Sequence, residues 1–420
     1  MILRNVLQDV LRPVLNPVFP LGVFFDILGI TDRVSGNSLV CSSAGPAYYI
    51  HPTTGELVTV PTGTPLNHPV LGLTGFRNYA QVGQNSEDPG EWVLSLATYA
   101  ATGETFGPFI EGALTDNGVS AGSRSYLWES SVSGSPTGIL YFSIRYRAGT
   151  SNEIRITFYD ATSSDFTYYL GTIGSAGFSG QGGAGTVAII SDVENSVLGY
   201  RVLKGSVIFN TPANNCKIGI GPNSATSRTI KVLGADVSED RTILDFHVPS
   251  SGSNVSISSR AGTITAANLP TTYPKLYDAL GGDGSAVASA THSLCWTPGH
   301  NYNVSGATAG KIMESGNFLL GYTDAGAVYL TDGTNTATVA GVNWAAYDGT
   351  PATMLDIKVV YGDYAGNQSM QITVDGTSSA IETCLDTFSP GAAFTYLDSD
   401  AQNSVKGHEV REKINTDWVL

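Results

Sequence analysis

Ile154, Ile156 and Phe158 alternate with Arg155, Thr157 and Tyr159, and runs of this kind recur along most of the 420 residues, each cut short by Gly, Ser, Asn or Asp. A period of two marks a strand with one buried face, and no stretch sustains the 3.6-residue period of an amphipathic helix. Residues 138–146, 187–190, 200–209, 216–220, 318–322, 327–330, 336–339, 355–361 and 369–374 read the same way. Short strands separated by turn residues fold as antiparallel sandwiches. The 49 glycines and the scarcity of charge, 14% of residues against roughly 25% in an ordinary soluble protein, fit strands and turns better than helices. An apolar fraction of 42% supports real cores. The expected fold class is therefore all-β, with two antiparallel, jelly-roll-like β-sandwich domains.

The chain divides by composition. Residues 1–29 form an apolar segment in which Leu3, Leu7, Leu11, Leu15 and Phe19 mark a four-residue rhythm, interrupted by Pro13 and Pro17. It reads as an anchor or oligomerisation element. Pro17, Pro20 and Asp26 break any membrane span over 14–30, and no A-x-A cleavage pattern follows. Residues 30–74 read as an extended β linker with a hairpin turning at Pro52-Thr53-Thr54-Gly55. A first sandwich is expected over 75–249, a Ser/Gly-rich linker over 250–272 and a second sandwich over 273–403. The Asp332-Gly333 and Asp375-Gly376 pairs fall where hairpins need them. Residues 404–420 read as a polar tail with room for a short helix.

A net charge of −15 with only 21 scattered basic residues excludes a phosphate-tracking surface, so no nucleic-acid partner is expected. Cys41, Cys216, Cys295 and Cys384 are too far apart for a zinc site. A Cys295–Cys384 bridge and buried thiols are the two readings, with thiols favoured. Gly180, Gly182 and Gly185 match G-x-G-x-x-G but lack a following helical pattern. Glu111, Asp116 and Glu129 are the carboxylates a glycosidase would have to use, yet no dense E-x-D-x-x-E strand is present. The six histidines never fall at metal-ligand spacing on one strand. No enzyme is expected, and no cofactor beyond a structural calcium for which Glu87 with Asp88, or Asp324 with Asp332, supply oxygens.

Three stretches carry a resemblance. Residues 30–77 look like a linker with a short hairpin, ending just before a sandwich that opens with Asn85-Ser86-Glu87-Asp88 and Trp92. That opening, and the later strand 141–149, are similar to carbohydrate-binding-module-like sandwiches of tailed-phage appendage proteins. Residues 293–376 resemble concanavalin-like, laminin-G-type modules in Trp296-Thr297-Pro298-Gly299, Thr331-Asp332-Gly333-Thr334 and Val374-Asp375-Gly376. The resemblance implies a structural protein on the virion surface, a fibre or spike fixed to capsid or tail proteins by its N-terminus and assembled as a homotrimer. A sequence of virion character with no export signal fits that expectation. The alternative is a capsid decoration protein with no affinity for the host.

Such sandwiches bind glycans by stacking an aromatic side chain on a sugar ring while polar groups bond its hydroxyls. Trp128, Trp344, Tyr347 and Tyr364 are the candidates for contact with host surface polysaccharide, with Trp92, Tyr99, Tyr168 and Tyr169 also available in the first module.

Overall fold

The computed structural model describes residues 23–25, 40–69, 72–76, 79–81, 85–95, 97–117, 126–128, 139–160, 165–175, 178–182, 185–209, 217–223, 227–250, 255–258, 261–265, 289–297, 310–323, 325–343, 354–363, 368–385, 393–396, 403–414 and 417–419. Among them every strand pairing is antiparallel and no α-helix occurs, only two short 3-10 turns at Pro89–Glu91 and Arg241–Leu244. The expected all-β class is what the chain adopts. It forms two compact units, one of residues 45–62 and 78–258, the other of residues 1–44, 63–77 and 259–420.

The first sandwich has two six-stranded sheets. One runs Thr186–Asn195, Tyr200–Ile208, Ile139–Ala148, Thr229–Ser238, Phe109–Asp116 and Ala97–Phe106. The other runs Phe178–Gly182, Asp165–Thr172, Glu153–Asp160, Lys217–Pro222, Tyr126–Trp128 and Val93–Ser95. Alternation fixes which residues meet between them: Leu140, Phe142, Ile144 and Tyr146 from the first face Ile154, Ile156, Phe158, Ile218 and Ile220 from the second. Phe142 and Phe158 lie 5.2 Å apart at their ring centroids.

The odd-numbered positions of Ile139–Ala148 face away from this core, and a second, smaller core forms there from Phe109, Tyr200 and Leu233. The hairpin of Ala47–Ile50 and Leu57–Val60 brings Ile50 to it. Its turn needs glycine. Gly55 has φ +71°, and a Cβ there would stand 2.7 Å from Leu198 Cδ1. Asn195 Nδ2 donates to Pro52 O at 3.0 Å across the same contact. The expected hairpin is therefore present, but it belongs to the first sandwich rather than to a separate linker over 30–74.

The second sandwich pairs a ten-stranded sheet with a seven-stranded one. The first follows the path Thr377–Ser378, Gln368–Val374, Leu355–Asp363, Ser289–Thr297, Asn403–Ile414, Gly72–Gly75 and Asn67–His68. The second runs Val40–Ser42, Ala261–Thr265, Ala393–Tyr396, Gly310–Ser315, Phe318–Thr323, Ala327–Thr331 and Thr336–Val339. Trp296, Ile357, Val359 and Ile372 pack between them against Ile312, Phe318, Leu320, Val328 and Leu330. Asp375 and Gly376 both take positive φ, 47° and 81°, in the two-residue turn joining Val374 to Thr377.

Three expectations change here. Residues 404–420 are no helix-bearing tail: Asn403–Ile414 is a twelve-residue strand between Ser289–Thr297 and Gly72–Gly75. The stretch 250–272 carries Val255–Ile257, paired with Tyr79–Gln81, and Ala261–Thr265, paired with Val40–Ser42 and Ala393–Tyr396. Within 1–29, Val23–Phe25 pairs with Asn403–Ile414. Each segment is short or polar alone, and its strand partner lies far away in sequence. The anchor positions Leu3, Leu7, Leu11, Leu15 and Phe19 lie outside the described residues. Cys295 and Cys384 are not joined: Cys295 Sγ donates to Asp356 Oδ1 at 3.1 Å, and Cys384 is buried in the core.

Candidate functional site

Among the described residues, the densest chemistry sits on the outward face of the first sandwich's Ile139–Ala148 sheet. Thr229–Ser238 carries Asp236 there, fully buried, with Arg145 beside it on Ile139–Ala148. Arg145 Nη1 donates to Asp236 Oδ2. The segment after the Arg241–Leu244 turn lays His247 against the same carboxylate, Nδ1 to Asp236 Oδ1 at 2.9 Å. The other ring nitrogen, Nε2, meets Glu87 Oε1 at 2.8 Å. Phe109 closes the site, with Arg145 4.5 Å above its ring and His247 edge-on at 5.1 Å.

Both ring nitrogens face acceptor oxygens, so the geometry asks for an imidazolium that donates twice. Burial alone would lower the pKa of His247; the Asp236 charge and the hydrogen bonds to Asp236 and Glu87 outweigh it and hold the pKa above the ordinary value. Burial would likewise raise Asp236, but His247 and Arg145 overcome it and keep this carboxylate below the usual range. The four groups then sum to zero charge, and their mutual attraction offsets part of the desolvation cost of burying them. Ser143 is the cross-strand partner of Asp236, and both nitrogens of His247 face carboxylates rather than its hydroxyl.

Further carboxylates are also engaged. Glu111, fully buried, takes Arg147 at 3.0 Å and Lys231 at 3.2 Å. Asp116 is buried at the far end of the same strand, five positions on and therefore on the opposite face. The pair cannot flank one glycosidic bond; Glu129 lies outside the described residues. Asp88 caps the Pro89–Glu91 turn, accepting from Gly90 N at 2.8 Å. Asp332 accepts from the amides of Thr334 at 2.8 Å, Asn335 at 2.6 Å and Leu385 at 2.8 Å, and from Asn335 Nδ2 at 3.1 Å. Glu87, Asp88 and Asp332, three of the four calcium candidates, each accept hydrogen bonds from the protein, and Asp324 lies outside the described residues. Gly180 and Gly182 belong to a strand paired with Asp165–Thr172, and the next described element is the strand Thr186–Asn195 rather than a helix.

The aromatic candidates separate. Trp344, Tyr347 and Tyr364 lie outside the described residues. Trp92 is core, its Nε1 donating to Asn85 O at 2.8 Å, and Tyr169 is buried. Trp128 lies in Tyr126–Trp128, in register with Gly219 and Val93. Continuing that row, Gly219 pairs Thr157 and Thr157 pairs Tyr168. Tyr168 is half-buried with the Arg155 guanidinium 4.3 Å from its ring centroid, and the next row holds the half-buried pair Tyr159 and Phe166, 4.8 Å apart. The sequence named Trp128 and Tyr168 but gave no sign that one row contains both. It missed His247 altogether. The available signal was a histidine set between Phe246 and Val248, in the run 243–248 that is apolar but for it and Asp245.

No protein-family model matches the chain, and no curated protein matches it. Among solved structures, domains LG4-5 of the mouse laminin α1 chain align over 72% of this chain and 88% of that one, at 12% identity and a TM-score of 0.21. Superposition that loose carries no argument about this chain.

Proposed function

We propose that the chain is a non-catalytic structural protein of a tailed-phage virion, a surface-exposed fibre or spike that contacts host glycans through its first sandwich. One observation carries the glycan part of this reading. On that sandwich the buried carboxylates Glu111 and Asp236 are bound to cations of the same chain, whereas the row through Tyr168, Thr157, Gly219 and Trp128 sets two aromatic positions about a glycine. The Tyr168 ring, with the Arg155 guanidinium over it and the Thr157 hydroxyl bonded to that guanidinium, suits the stacked, hydrogen-bonded contact that sugars make. The virion part rests on the resemblance of the sandwich opening and of residues 293–376, and on an acidic, charge-poor composition. Symmetric display, as in a trimer, would turn weak sugar contacts into useful avidity.

The test is co-sedimentation of the full chain with host cells, with and without EDTA and with soluble host polysaccharide as competitor. The full chain is required because cutting before residue 73 would remove Val23–Phe25, Val40–Ser42 and the Ala47–Val60 hairpin from their sheets. Saturable binding that polysaccharide displaces and Tyr168→Ala weakens is the expected result. No binding at micromolar protein would overturn it in favour of capsid decoration.

A further inference from the structure

The first sandwich, apart from its 45–62 hairpin, is one stretch of chain whose entry and exit meet at a single place. Tyr79–Gln81 on the entry side pairs with Val255–Ile257 on the exit side. Ser86 and Ser250 exchange amide-to-hydroxyl bonds at 3.2 Å, and Ser86 Oγ donates to Val248 O at 3.1 Å. Glu87 on the entry side meets His247 on the exit side at 2.8 Å. Between these bonds Ile243, Leu244, Phe246 and Val248 are buried, and the Arg241–Leu244 turn packs on Ile139–Ala148 and Thr229–Ser238.

We propose that this neck is a proton-operated clasp: imidazolium His247, bridging Asp236 on the sheet and Glu87 on the entry segment, holds exit residues 239–250 and 255–257 in place, and loss of its proton lets entry and exit part while both sheets stay folded. A neutral ring keeps one N–H, so one nitrogen would present a lone pair to a carboxylate. The cluster of Arg145, Asp236, His247 and Glu87 would also pass from zero to one net negative charge. Glu87 is its most exposed member, with 26% of its side chain accessible, so the break falls at Nε2 and Glu87 while the fully buried link to Asp236 persists. Among the described residues, Lys204 pairs with Asp245 and Glu111 pairs with Arg147 and Lys231, and buried Asp240 lies at the start of the exit segment.

The sign follows from the cluster. A histidine whose folded pKa is raised contributes fully below its ordinary unfolded value and loses that contribution as pH rises through the folded value. Asp236, shifted down, keeps its charge far into acid. The clasp is closed between these limits and opens on the alkaline side.

Hydrogen exchange of the full chain, corrected for intrinsic rates and followed from about pH 6 to about pH 9, reads the clasp directly. Peptides covering 79–91 and 241–257 should lose about tenfold or more protection with rising pH, while Ile139–Ala148 and Glu153–Asp160 keep theirs. His247→Gln should be open at every pH, and Glu87→Gln should move the midpoint downward. Equal protection of the neck across the range, or a His247→Gln neck as protected as wild type, would overturn the proposal. If His247→Gln does not fold, the histidine resonances of the wild type decide: titration of His247 below its ordinary value would overturn it equally.

Discussion

Asp332→Ala separates a turn organiser from a calcium ligand. The carboxylate accepts three backbone amides and one side-chain amide, and through Leu385 it ties the turn between Ala327–Thr331 and Thr336–Val339 to a segment 53 positions later. Hydrogen bonds to a charged group contribute roughly 1.5–3 kcal/mol each. The amide of Thr334, an exposed residue, regains water readily, and that of half-buried Asn335 does so in part, so a large share of their contribution returns. The Leu385 amide, half-buried beside the core, regains less. The expected loss is about 2–4 kcal/mol, read as a shift in the urea midpoint of the second sandwich. Burial would raise the pKa of Asp332, but the amides of Asn335, Thr334 and Leu385 hold it below the ordinary carboxylate value. Its contribution is therefore present near neutrality and fades as pH falls through that depressed value. Wild type and variant should converge in strong acid. EDTA should leave the wild type unchanged. A wild-type midpoint that EDTA lowers as far as Asp332→Ala does would refute the reasoning and restore the calcium reading.

Phe158→Ala empties a fully buried site against Phe142 and should cost about 3–5 kcal/mol in denaturant unfolding of the first sandwich; a loss under about 1 kcal/mol would mean that the two sheets do not close on one another there. Deleting residues 403–420 strips Ser289–Thr297 and Gly72–Gly75 of their common neighbour and should yield aggregates by size-exclusion chromatography. A soluble product with an unchanged melting temperature would refute that topology.

What sequence made legible was the face each strand buries. Ile154, Ile156 and Phe158 turn inward as their alternation requires, and Asp375-Gly376 makes the turn its residue types demand. What it hid was partnership. Asn403–Ile414 reads as polar because Lys406, Glu409, Arg411, Glu412 and Lys413 dominate it, and only the sheet neighbours Ser289–Thr297 and Gly72–Gly75 make it a strand. The His247 cluster was hidden for the same reason. Glu87, Arg145, Asp236 and His247 span 160 positions, and no local pattern announces a bond between residues so far apart.

The place of Asn403–Ile414 in its sheet also bears on synthesis. Gly72–Gly75 leaves the ribosome more than three hundred residues before the strand it must join, a wait of roughly tens of seconds at about 5–20 residues per second. The first sandwich is completed within that interval, since its last residue is Ser258. Nascent chains should therefore pass through a stage with one finished sandwich and one open sheet edge, the stage at which a chaperone would be needed. A ribosome that stalls before residue 403 releases a chain whose second sandwich lacks this strand, so translation through Asn403–Ile414 is itself the checkpoint for that half of the protein.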